Sequence, residues 1–322
     1  MAPSPNNRRA ALITGSAGQL GHKVAEHLSS QGKNIIGLYR NKLPTSHKNL
    51  LPLWCDLQST ETIVAPLKST DTVIHLAWTG GVLGSTKAAT YQRNQDLSDE
   101  KIQASPNVTI TRNLIKAMER AGSQKIIFIS WVGVDKRATS VLLREKYWAE
   151  NLVVNSSIPT KIIIRIGVIG AGLSDSDFLR TAALVGKFPL FLPVPRDING
   201  VVITTLPDFI WAIEEALKVQ EGAAAGCRII DLTSTAPSSG ASIVAALDLK
   251  SRGKRSLKIG GAVGAMLFRW TERKFGTTKA TDSKLTDYLD ASKVCVTIPA
   301  DGVPCIVTAR DVGNKVAVGS AL

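Results

Sequence analysis

The apolar run Ala10-Ala11-Leu12-Ile13-Thr14 ends on three evenly spaced glycines, Gly15, Gly18 and Gly21, and an amphipathic stretch starts at Gln19. Four apolar residues stopping at a glycine predict a buried strand, and Leu20, Val24 and Leu28 recur at helical spacing. The loop between them is therefore a tight strand-to-helix turn. One glycine permits the turn, a second lets the backbone approach a pyrophosphate, and a third lets helix and strand pack closely. The helix start supplies backbone N–H groups to an anion. Gly15, Ser16, Gly18, Gln19, Leu20 and Gly21 are thus the expected cradle of a dinucleotide.

The same alternation continues. Strands are expected at Asn34–Tyr39, Leu51–Cys55, Asp71–Leu76, Lys125–Ile129 and Lys161–Ile166. Helices are expected at Glu61–Lys68, Asn107–Arg120 and Val141–Val154. Strand–helix repetition of this kind gives an α/β fold: a doubly wound parallel sheet of Rossmann type, with its ligand crevice at the carboxyl ends of the strands. After Gly167 the regularity weakens. Helices are read at Asp177–Leu184, Asp208–Val219 and Ser242–Leu249, and a strand at Cys227–Leu232, while residues 293–322 are left unplaced. Residues 1–167 are read as the nucleotide-binding domain and 168–322 as a smaller C-terminal substrate lobe interleaved with the main sheet.

Charge narrows the ligand class. Among 322 residues, 39 Lys and Arg against 26 Asp and Glu leave a net charge of +13, which favours anionic ligands. The densest basic run, Lys250 to Lys258, has no interleaved aromatics and is read as a solvated loop, so nucleic acid is not an expected partner. Cys55, Cys227, Cys295 and Cys305 lie far apart with no CxxC, which excludes zinc and redox motifs, and Cys55 and Cys227 are expected as core thiols. No apolar stretch is long enough to span a membrane, and no signal core precedes Arg9. The expected setting is cytoplasmic, with a small-molecule substrate and a second copy of the chain as candidate partners.

At the level of motifs the chain resembles the short-chain dehydrogenase/reductase superfamily, in particular its extended, NAD-dependent epimerase/dehydratase branch. The resemblance rests on the G-x-x-G-x-x-G loop, Asp56-Leu57, Asp71-Thr72-Val73-Ile74-His75-Leu76-Ala77, Asn107-Val108 with Asn113-Leu114, and Ile164-Arg165-Ile166-Gly167 followed by Asp208. It covers about residues 9–250. It implies that Asp56 and Leu57 hold the adenine, and that Leu76 and Ala77 line the nicotinamide ribose. It also implies a Ser or Thr at the end of the fifth strand and a Tyr-x-x-x-Lys on the next helix, whose i, i+4 spacing brings the two heads together.

Here the set is incomplete. Lys146 matches the lysine, but Leu142 stands where the tyrosine belongs. Tyr147 points about 100° away around the helix and cannot replace it. Ser130-Trp131 matches the serine pair at its first member only, and Tyr91 is a candidate acid from the loop after the fourth strand. The expected catalytic residues are Lys146, Ser130 and Tyr91. His75 is read as a core histidine.

The second strand ends Tyr39-Arg40-Asn41-Lys42, with no carboxylate to accept from a ribose diol and two cations suited to a 2′-phosphate. NADP(H) is therefore expected over NAD(H), with Arg40 as the discriminating residue. The functional expectation is an epimerase/dehydratase-like oxidoreductase. The alternative is a non-catalytic NADP(H)-binding sensor or partner-binding protein.

Overall fold

A computed structural model describes residues 10–78, 98–138, 141–169, 203–220 and 226–233, and the strands 191–195, 255–259 and 305–312. The elements follow in chain order: β1 Ala11–Thr14, α1 Gln19–Ser30, β2 Ile35–Tyr39, β3 Leu50–Trp54, α2 Thr60–Leu67, β4 Thr72–His75, α3 Asp99–Gln103, α4 Pro106–Ala121, β5 Lys125–Trp131, α5 Val141–Val154, β6 Thr160–Ile166, β7 Val168–Ile169, β8 Phe191–Pro195, β9 Ile203–Thr204, α6 Leu206–Lys218, β10 Gly226–Thr233, β11 Arg255–Ile259 and β12 Cys305–Val312.

Seven strands form a parallel sheet in the order β3-β2-β1-β4-β5-β6-β10, and β12 pairs antiparallel with β10 at the far edge. The chain order reverses between β1 and β4, so the crevice opens above their carboxyl ends. β1 and β4 are buried at every position because helices cover both faces. On one face Ile13, Ile74, Ile127 and Ile164 pack with Val24 and Leu28 of α1 and Phe209 and Ile213 of α6. On the other, Leu12, Val73, Ile126 and Phe128 pack with Leu114 and Met118 of α4 and Val153 of α5.

The helices begin and end where local chemistry directs them. The Ser105 hydroxyl accepts from the Val108 N–H, Pro106 occupies the first turn of α4, and Gly122 closes the helix at φ 71°. Thr205 caps α6 through the Asp208 N–H. The otherwise buried Lys125 ammonium donates to the carbonyl oxygens of Leu217 and Val219 at 2.9 and 2.8 Å, which satisfies the end of α6 and ties it to β5.

Several expectations change. β5 runs two residues further, through Trp131, because Ser130 and Trp131 pair with Arg165 and Ile166 of β6. Helix α3 was not anticipated; it is only five residues long, too short for a periodic apolar signal. The segment Arg255–Lys258, expected as solvated loop, lies in β11 and pairs in parallel with β8. Within the unplaced tail, Cys305–Val312 is the antiparallel edge strand. The helices expected at Asp177–Leu184 and Ser242–Leu249 fall outside the described residues. Cys55 and Cys227 are buried free thiols, as expected, and desolvation pushes the Cys227 thiol up to about 11. No helix among the described residues is long and apolar enough to cross a membrane.

Candidate active site

Above the switch point lies a cleft of about 440 Å³. Its floor is Gly15, Ala17 and Gly18, one wall is Leu38 to Lys42, another is Cys55 to Leu57, and the inner end is Leu76, Ala77 and Trp78. The glycine loop takes this shape for steric reasons. Gly15 has φ 70°, and a Cβ there would lie 2.8 Å from the Cα of Ala77. A Cβ on Gly21 would lie 2.1 Å from the Gly15 carbonyl oxygen. No side chain caps Gly18, and the first turn of α1 carries no carboxylate, so the helix start is shaped for an anion from outside.

The cleft floor is braced by a chain of buried hydrogen bonds. Thr14 Oγ1 accepts the N–H groups of Leu76 and Ala77, both at 3.1 Å, so its own proton goes to His75 Nδ1 at 2.7 Å. His75 is therefore protonated at Nε2, which donates to Thr111 Oγ1 at 3.1 Å, and Thr111 donates to the Asn107 carbonyl oxygen at 3.0 Å. Burial, helped by the Lys146 charge, drives the His75 pKa down to about 3, so the ring stays neutral. This matches its reading as a core histidine. Asn107 Nδ2 in turn donates to the Glu145 carboxylate at 2.8 Å, and burial raises the Glu145 pKa.

The expected residues divide into two groups. Gly15, Gly18, Arg40, Asp56, Leu57, Leu76 and Ala77 line the cleft together. Gln19, Leu20 and Gly21 form the first turn of α1 behind it. Ser16 is fully buried, with its hydroxyl and N–H both directed to the Leu38 carbonyl oxygen. Lys146 and Ser130 are buried, and neither lines the cleft. Lys146 Nζ donates to the Ile129 carbonyl oxygen at 2.7 Å and sits 3.6 Å from the centre of the Trp78 ring. Trp78 thus touches both that ammonium and the cleft, while Lys146 itself is not part of the cleft lining. Ser130 Oγ is buried with no hydrogen-bond partner among the described residues. Leu142 is buried one turn before Lys146 and offers no proton, and Tyr91 lies outside the described residues. Ala17, Leu38, Tyr39, Asn41, Cys55 and Ile110 also line the cleft without having been anticipated from the sequence. Adjacency to the strand ends was the only available signal for the first five.

Desolvation lowers the Lys146 pKa to about 7, while Glu150 and Glu145 work in the opposite direction. Between that value and the ordinary lysine range, the unfolded chain holds a proton that the folded chain does not, so this group makes stability rise with pH from about 7 to about 10. The expected result is that Lys146→Met is more stable relative to wild type at pH 7 than at pH 9.5, measured by urea unfolding. A pH-independent difference would show that Lys146 remains charged in its pocket.

Residues 15–172 match a family model described as NAD(P)H-binding. This stretch is an NAD(P)H-binding domain. Uncharacterized proteins of Mycobacterium tuberculosis and Mycobacterium bovis are 25% identical over 118 residues, which is 37% of this chain and only 12% of theirs. Solved structures share the fold at lower identity. MoeE5 in complex with UDP-glucuronic acid and NAD has a TM-score of 0.60 at 22% identity, over 78% of this chain and 85% of that one. WbmG of Bordetella bronchiseptica with NAD and UDP has 0.60 at 16%, over 88% and 95%. A UDP-N-acetylglucosamine 4-epimerase from Bacillus cereus has 0.57 at 18%, over 78% and 85%. The likeness of fold therefore covers more of the chain than the NAD(P)H-binding stretch alone.

Proposed function

We propose that the chain is an NADP(H)-dependent, epimerase/dehydratase-like oxidoreductase acting on a small molecule, with a modified acid–base set. One observation carries the cofactor preference. Arg40 and Lys42 both line the cleft, are exposed, and have no carboxylate partner among the described residues. Two unneutralised cations at the end of β2 suit a 2′-phosphate, to which a guanidinium can present a fork of donors. The uncapped start of α1 suits the pyrophosphate, and Asp56 and Leu57 flank the adenine position. When bound, the cofactor supplies hydride transfer.

The residues of this chain then hold and orient. Gly15, Ser16, Gly18, Gln19, Leu20 and Gly21 shape the phosphate turn, Leu76 and Ala77 border the ribose, and Lys146 with Ser130 would reach the reacting end only if Trp78 moved aside. Without a phenol at position 142, carbonyl reduction would be slower by about 10²–10⁴-fold unless another group, such as Tyr91, delivers the proton. MoeE5 is seen with UDP-glucuronic acid and WbmG with UDP, whereas the apolar residues Leu142 and Trp131 at the motif positions of this chain favour a less polar substrate. A cytoplasmic homodimer belongs to the same proposal.

A second reading, cofactor binding without turnover, is favoured by the burial of Lys146 against Trp78, outside the cleft lining. Titration with NADPH and NADH followed by turnover on sugars, aldehydes, ketones and enones separates the two. NADPH binding with turnover supports the enzyme, and binding alone supports the sensor. Arg40→Asp is expected to weaken NADPH at least tenfold more than NADH, from loss of a charge-assisted contact and gain of a repulsive one. Equal losses for both cofactors would remove Arg40 as the discriminating residue.

A further inference from the structure

Trp54 is the last residue of the edge strand β3 and is 59% exposed, which gives its large ring little return from burial. An indole held at such a place needs another reason. In the parallel ladder Tyr39 of β2 is opposite Trp54, and the Cys55 N–H donates to the Tyr39 carbonyl oxygen at 2.8 Å. There the ladder stops. The next carbonyl along the chain belongs to Arg40, and the Trp54 side chain reaches back to it, donating from Nε1 at 3.0 Å. A side chain thus continues the pairing by one residue beyond the end of the strands.

That single bond fixes the peptide plane from which Arg40, Asn41 and Lys42 continue along the cleft wall. A flexible guanidinium stem gains most from a fixed root, because each donor then reaches its acceptor with less ordering cost. We infer that Trp54 is a positioning residue for cofactor discrimination: it anchors the Arg40 backbone so that the Arg40 guanidinium meets a 2′-phosphate, and it has no part in holding the nicotinamide half. The inference rests on the proposed NADP(H) preference.

The test is a titration of wild type, Trp54→Phe, Arg40→Ala and the double variant with NADPH and NADH. Phenylalanine keeps an aromatic ring at this exposed position but loses the N–H along with the fused five-membered ring. Wild type is expected to bind NADPH more tightly than NADH. Trp54→Phe is expected to weaken NADPH about fivefold, as for the loss of one hydrogen bond, and to leave NADH within twofold. In the Arg40→Ala background the Trp54→Phe substitution should change neither cofactor, because the effect passes through Arg40. Equal loss for both cofactors, no loss for either, or an undiminished loss in the Arg40→Ala background would overturn the role of Trp54. A wild-type protein that binds the two cofactors equally would overturn the NADP(H) reading itself, before any variant is compared, and the inference with it.

Discussion

Gly21→Ala is expected to abolish measurable NADPH binding, a loss of at least about 100-fold, and to lower stability by about 1–3 kcal/mol as an overpacked site does. The added methyl would lie 2.1 Å from the Gly15 carbonyl oxygen and 2.8 Å from its carbon, and both are backbone atoms that no rotamer change can move aside. To relieve the contact, α1 must shift away from the turn. Its first N–H groups then leave the position where a pyrophosphate would meet them, and binding at a helix start falls off steeply with such displacement. Gly18→Asp provides the contrast. Its φ of −74° is open to any residue, and a Cβ would come no closer than 3.1 Å to the Gly15 oxygen. That variant should melt near wild type yet fail to bind, because its carboxylate would face the phosphate. Isothermal titration with thermal melting on both variants checks the pair. If Gly21→Ala keeps NADPH affinity within threefold, the loop is not the cradle.

The second large effect is on stability. Arg165 of β6 grips Glu150 of α5 with both arms, Nε to Oε1 at 2.9 Å and Nη2 to Oε2 at 2.7 Å, and approaches Asp231 of β10 at 3.7 Å. Glu150 is only 4% exposed, so Arg165→Met would leave a carboxylate buried without its counter-charge. The expected cost is about 3–5 kcal/mol, read from the urea midpoint. Adding Glu150→Gln should recover much of the loss, since replacing both members of a buried pair costs far less than removing one. A cost below about 1 kcal/mol for Arg165→Met alone would show that water or another cation reaches Glu150. The consequence extends to the candidate site, because Glu150 lies one helical turn after Lys146 and is the main charge opposing its desolvation.

Much of the scaffold was legible because its signals are local. Continuous apolar runs mark strands buried on both faces, as at Ala11–Thr14 and Thr72–His75. Helix α5 begins and ends where its pattern said, and the steric demands at Gly15 and Gly21 follow from a turn only seven residues long. The edge strands β11 and β12 were not legible. A strand held mainly by a partner far along the chain carries no period of its own that separates it from a loop.

In the candidate site the division is sharper. The missing phenol at Leu142, the cations at Arg40 and Lys42, and the surviving Lys146 are properties of residue identity at motif spacing, and the sequence by itself determined them. The position of Trp78 against an ammonium 68 residues later in the chain, the tautomer of His75 and the hold of Trp54 on the Arg40 carbonyl were decided only by the tertiary structure. The physical reason is the order in which the interactions arise. Backbone preference and side-chain period act over a few residues. These contacts exist only after the sheet has set β4 between β1 and β5 and laid β3 beside β2.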